Sequence, residues 1–162
     1  PADTDEFLVS DAGTLKRIDY SLIKAANTPA FFVRQSSAQD IAYNTATQLV
    51  FATEVYDTDS AFASNTFTVP SGEGGTYFLY GRIGWVTAND FDKFYFKVYV
   101  NDSSVDDGAI NSNFNQNTTT FNYSLALSAA DTVKAYAYHN YSASNLITYA
   151  AITNFGGYKL IT

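Results

Sequence analysis

Residues 94–100 read FYFKVYV and residues 77–86 read YFLYGRIGWV; the alternation in these two stretches decides the fold. Side chains of a β-strand point to opposite faces in turn, so Phe94, Phe96, Val98 and Val100 fall on one side and Tyr95, Lys97 and Tyr99 on the other. In the second stretch Tyr77, Leu79, Ile83 and Trp85 share one face. Phe78, Tyr80 and Val86 stand on the opposite face beside Arg82. A β-sandwich buries one face of each strand and leaves the other to water. Aromatic rings on that second face require a further cover, and the simplest is another copy of the same chain.

Outward from these two stretches, short apolar runs alternate with turn chemistry from Pro29 to the end, the pattern of an all-β sandwich. Further strands are predicted at 30–36, 48–56, 65–69, 119–127, 132–140, 147–152 and 155–161. Breaks are predicted at Asp57–Ser60, Pro70–Gly75, Ala88–Asp90, Asn101–Gly108 and Ser128–Asp131, where Asx side chains and glycine favour turns. The Asn- and Thr-rich stretch Asn111–Thr120 reads as a solvated loop, with a weak edge strand and a polar ligand-contacting ridge as the alternatives.

Residues 1–28 read differently. EFLVS (6–10) and LKRIDY (15–20) flank Asp11-Ala12-Gly13-Thr14 as a short hairpin. SLIKAAN (21–27) has helical spacing but only about two turns, too few to stand alone. The predicted organisation is therefore an N-terminal arm or neck over 1–28 and a head domain over 29–162. Because the first residue is Pro1 and not Met, the chain is expected to be a piece of a longer polypeptide or a processed product.

Composition narrows the function. The chain has 162 residues, 13 tyrosines, 13 phenylalanines, no cysteine, no methionine, one histidine and a net charge of −7. An anionic surface repels nucleic acid and anionic lipid, so neither is an expected partner. Without cysteine there is no disulfide framework, thiol nucleophile or zinc ribbon. No apolar run approaches the roughly 20 residues of a membrane-spanning helix.

Five fragments then occur in an order that resembles the complement component 1q and tumour necrosis factor superfamily. They are Pro29-Ala30-Phe31, Asn65-Thr66-Phe67-Thr68-Val69-Pro70, Gly75-Thr76-Tyr77-Phe78-Leu79, Leu125-Ala126-Leu127 with Asp131-Thr132-Val133, and Phe155-Gly156-Gly157-Tyr158-Lys159-Leu160. The resemblance implies a ten-stranded jelly roll, a homotrimer, and binding without catalysis. It also implies that Phe78 and Tyr80 face neighbouring subunits at the trimer interface. Residues 5–24 (DEFLVSDAGTLKRIDYSLIK) resemble a segment found upstream of terminal domains in tail and fibre proteins of bacterial viruses. Collagen-type Gly-X-Y repeats, frequent before this fold in animals, are absent from these residues.

Catalytic chemistry finds little to stand on. His139 is the only imidazole, so a nucleophilic triad would have to pass through it; it shares a strand face with Val133, Ala135 and Ala137 and reads as structural. Asp102, Asp106 and Asp107 around Gly108, and Asp57 with Asp59, could offer oxygen to calcium, but neither loop has the spaced D-x-D-x-D-G pattern. Solvated turn carboxylates are the expectation, with no cofactor. Tyr136, Tyr138 and Tyr141 could stack on sugars or serve core and interface.

The expected function is a non-enzymatic, homotrimeric viral (phage) head domain at a fibre or spike tip, on the virion surface or otherwise extracellular. Its expected partners are a host-surface glycan or protein receptor and, on the N-terminal side, other virion proteins. Three alternatives stay open: a purely architectural capsid or tail decoration protein, a secreted lectin or ligand of the same superfamily, and a carbohydrate-active enzyme.

Overall fold

The computed structural model describes residues 2, 4–20, 27–86, 93–111, 118–140 and 146–160; for 93, 106–111 and 146 it describes the backbone only. The strands are β1 (Glu6–Asp11), β2 (Thr14–Asp19), β3 (Ala30–Arg34), β4 (Asp40–Ile41), β5 (Thr47–Gln48), β6 (Thr53–Asp57), β7 (Phe62–Ala63) and β8 (Thr66–Thr68). There follow β9 (Gly75–Gly84), β10 (Lys93–Val100), β11 (Ser103–Asn111), β12 (Thr118–Leu127), β13 (Thr132–His139), β14 (Leu146–Ile147) and β15 (Asn154–Lys159).

Two sheets make the sandwich. One runs β12-β9-β15-β3-β6, and the other runs β11-β10-β13-β8-β7 with β5 added against β13. Spatial neighbours are mostly distant in sequence: β15 lies between β9 and β3, and β13 between β10 and β8, all antiparallel. That crossing order, five strands to each path, is a jelly roll. The hairpin β1-β2 and the small pair β4-β14 stand outside both sheets.

The alternation read from the sequence organises the interior. Tyr77, Leu79, Ile83 and Trp85 from β9 and its continuation, and Phe94, Phe96 and Val98 from β10, are all buried. Rings interlock across the gap between sheets: Phe31 stacks on Phe67 at 4.6 Å, and Phe96 on Phe121 at 5.3 Å. Room for Phe96 is made by Gly81, where a Cβ would stand 2.6 Å from its ring and 2.9 Å from the Asn154 carbonyl.

Three expectations fail for instructive reasons. Residues 48–56 do not form one strand: β5 ends at Gln48, β6 starts at Thr53, and the chain between them crosses from one sheet to the other. Leu49 and Phe51 are buried there while Val50 is exposed. This is strand-like alternation without a ladder, because side chains replace the strand partners. Gln39 Oε1 accepts from the Val50 N–H at 2.9 Å, and Asn65 Oδ1 from the Phe51 N–H at 2.8 Å. The second failure is Asn101–Gly108, expected as a break. Only Asn101 and Asp102 turn, both with positive φ (50° and 63°), and β11 begins at Ser103. A two-residue turn with left-handed backbone at both positions matches strand twist, so the ladder resumes at once.

The predicted strand at 147–152 is likewise reduced to the end of β14, a bridge from Thr148 to Trp85 and a 3-10 turn over Ala150–Ile152. The helical spacing of 21–27 falls, apart from Asn27, outside the described residues, as does most of the Asn111–Thr120 loop.

Because Gly81 faces a ring that cannot retreat, Gly81→Ala should destabilise the sandwich by about 1–3 kcal/mol through overpacking. Denaturant unfolding measures this, and an unchanged midpoint would contradict the close approach.

Candidate functional site

The outward face of the sheet β12-β9-β15-β3-β6 is built in cross-strand rows. Register places Tyr56, Phe32, Gly156, Tyr80 and Asn122 side by side across all five strands. The next row brings Ala30, Tyr158, Phe78 and Ser124 together. On the other flank, Arg34, Asn154, Arg82 and Thr120 form a polar row, with both arginines exposed. The face is thus an aromatic field bordered at one end by cations.

Its rings touch one another. Phe78 and Tyr80 are 6.2 Å apart between centroids, Phe78 and Tyr158 5.7 Å, Phe32 and Tyr80 6.0 Å, and Phe32 and Tyr56 6.1 Å. The Tyr56 and Tyr80 hydroxyls share a hydrogen bond at 3.1 Å. Gly156 lets the Tyr80 ring lie flat, since a Cβ there would come within 2.7 Å of its Cζ and Oη. Tyr56 is exposed and the other four rings are half-buried. Together they form a contiguous apolar patch, not scattered singles.

Phe78 and Tyr80 both point out of this sheet, as the alternation requires. Phe32, Tyr56 and Tyr158 complete the patch, and reading single segments missed them. Phe32 carried a signal: in AFFVR, Phe31 and Phe32 must point to opposite faces, so one of the two rings had to leave the core.

The opposite sheet also presents tyrosines outward, but they are engaged with one another. Tyr95 packs edge-on against Tyr138 at 5.5 Å, Tyr99 lies 4.3 Å from Tyr136, and Lys97 Nζ sits about equally over the Tyr95 and Tyr138 rings at 5.4 and 5.3 Å. Lys134 pairs with Asp102 at 2.6 Å. Tyr141 lies outside the described residues.

The acidic turns are taken up locally. Asp57 accepts from the Phe62 N–H at 2.7 Å, and Asp131 accepts from the Asn101 amide at 2.8 Å and the Ser128 N–H at 2.7 Å. Those two hydrogen bonds hold the Asp131 carboxyl below its ordinary range. The side chains of Asp106 and Asp107 lie outside the described residues, and among those described no three His, Cys, Asp or Glu side chains gather as a metal site.

His139 is completely buried. Its Nε2 donates to the Ile41 carbonyl at 2.9 Å, while Nδ1 has no partner. Trp85 and Phe94 wall the ring. No described hydroxyl lies within hydrogen-bond reach of either nitrogen, as a catalytic base would need. The ring tethers the β4 segment to the end of β13.

The architecture is that of the complement 1q and tumour necrosis factor-like jelly rolls. Among solved structures, the chain is similar to the globular domain of zebrafish complement 1qA protein (TM-score 0.57, 15% identity, covering 83% of this chain and 98% of that one). It is also similar to murine APRIL (0.57, 11%, 81% and 98%) and to the Eiger TNF of S. frugiperda (0.53, 14%, 82% and 92%). At these identities the likeness is one of fold. No family model matches the sequence, and no curated protein matches it.

Two tyrosines, Tyr77 in the core and Tyr80 on the aromatic face, give the fold a pH signature. Burial, with Glu73 and Asp59 nearby, pushes Tyr77 up to about 12; burial, the Tyr56 hydrogen bond and the neighbouring phenols of Tyr56 and Tyr158 push Tyr80 higher than usual. Both shifts favour the neutral phenol in the fold, so that stability is fully present below the unfolded value of about 10 and is lost as pH rises through the folded values. Denaturant midpoints should therefore fall from about pH 10 upward, and Tyr77→Phe should flatten that fall; an equally steep fall in the variant would refute the assignment.

Proposed function

We propose that this chain is the head domain of a homotrimeric, non-enzymatic viral appendage, a phage fibre or spike tip that attaches to a glycan or protein on the host surface. The observation that carries the trimer is the ring field of Phe32, Tyr56, Phe78, Tyr80 and Tyr158 on one sheet's outward face. Five contiguous rings left in water are unfavourable, whereas three copies meeting about an axis would bury them together. Aromatic side chains dominate such interfaces because each buries a large area at small conformational cost.

The polar row ending in Arg34 and Arg82 gives the face a direction. On a protein of charge −7, cations at the rim ease the approach of like-charged copies. The viral assignment rests on the resemblance of residues 5–24 to segments upstream of fibre heads. Attachment would rest on multivalency: three modest sites on one rigid knob multiply their affinity without a deep pocket.

Light scattering at micromolar concentration should give a trimer, and Phe78→Asp or Tyr80→Lys should give folded monomers with unchanged far-ultraviolet circular dichroism. Monomer in the unsubstituted protein would overturn the assembly. If the trimer is an adhesin, its binding to host cells should exceed that of the monomeric variants by about 10²-fold or more through avidity. No binding on any host would leave a purely architectural role.

A further inference from the structure

The hairpin β1-β2 is paired from Glu6↔Asp19 to Asp11↔Thr14. An isolated two-stranded hairpin is marginal in water, because neither face has anything to bury against. This one is apolar on both faces. By strand alternation Phe7, Val9, Ile18 and Tyr20 share one face with the Lys16–Asp11 pair toward the turn, and Leu8 and Leu15 lie on the other with the Arg17–Glu6 pair. The Phe7 and Tyr20 rings are 6.0 Å apart, which makes the first face a continuous patch at the hairpin's base. None of the described residues covers it fully: Phe7 is 37% and Val9 38% exposed, and Leu8 and Leu15 are each 72% exposed.

Charge does not hold copies of this element apart. Arg17 pairs with Glu6 at 2.6 Å and Lys16 pairs with Asp11, so within the hairpin only Asp19 stays outside an ion pair. Most of the chain's negative charge lies in the head.

The tether selects what covers the patch. Eight residues, 21–28, separate Tyr20 from Pro29, and fully extended they reach about 30 Å. They enter the sandwich at Ala30, which stands in the same outward row as Tyr158 and Phe78. Copies joined through that row would start their tethers around one axis, holding each hairpin near its fellows at an effective concentration on the order of millimolar.

We infer that the hairpins of three copies pack on one another through the face of Phe7, Val9, Ile18 and Tyr20, forming a neck continuous with the head. This rests on the trimeric reading above. The face toward the axis buries its rings, and Leu8 and Leu15 stay on the outside.

The chain has no cysteine, so one introduced thiol reports cleanly. Val9→Cys and Leu15→Cys, each in the full chain, are treated with a short bis-maleimide, and each variant's mass is measured by light scattering. Expected are trimers in both, with covalent dimers formed about tenfold faster by Val9→Cys because its thiols converge. A trimer in which Val9→Cys links no faster than Leu15→Cys overturns the neck and leaves the head reading standing. A monomer overturns both. Hydrogen exchange on the unsubstituted trimer supplies a check free of mutation: the cross-strand-bonded amides of Phe7, Val9, Lys16 and Ile18 should be protected, and exchange at unfolded-peptide rates would overturn the neck.

Discussion

The two sheets of this chain close on one another where a ring of one, Phe96, finds a glycine of the other, Gly81. Phe96 from one sheet occupies space that a methyl group at Gly81 of the other would fill, and within a single sheet Gly157 leaves room for its neighbours, since a Cβ there would stand 2.6 Å from Leu79 and 3.2 Å from the Phe31 ring. With those gaps, Phe31, Phe67, Phe96, Phe121 and Phe155 pack at centroid spacings of 4.6–5.9 Å. Interiors are close-packed solids, so a ring and its facing glycine behave as one unit. The outward rings inherit their positions from this core. Once Phe31 and Leu79 are keyed inward, Phe32, Phe78 and Tyr80 have no choice of side.

That dependence explains what the sequence made legible. Strong alternation in 77–86 and 94–100 determined which face each residue took, because a one-residue slip would turn the entire core set into water. The sandwich, its inward set and the outward placement of Phe78 and Tyr80 could all be read in this way. The crossing at 49–52 could not, since Leu49 and Phe51 alternate as they would in a strand, and the partners Gln39 and Asn65 lie far along the chain. β11 was hidden by composition: Ser103, Ser104, Asp106, Asp107 and Gly108 are turn formers whose strand state is imposed by β10 alongside. The full aromatic patch was out of reach for the same reason, because Tyr56, Phe32, Tyr158 and Tyr80 are collected from four strands by register.

The polar chemistry is almost wholly consumed in holding the fold together. Asn101 illustrates it. Its amide donates to Asp131 at 2.8 Å, while its side-chain oxygen accepts from the Thr132 N–H at 2.9 Å, stapling one turn to another at the end of the sandwich. Gln39 does similar work between Gln48 and Val50, donating to the first and accepting from the second. His139 spends Nε2 on a backbone carbonyl. Residues that a motif search would flag as reactive are here joints, and the surface left free to act is aromatic.

The place where the arm joins has a mechanical consequence. Tension arriving at residue 29 runs along β3, which is bonded to β15 on one side and to β6 on the other. Those ladder bonds lie across the direction of pull. They are sheared as a set and are not peeled one after another, because the loaded strand is clamped on both sides. A sandwich loaded in this way keeps its shape while residue 29 is pulled.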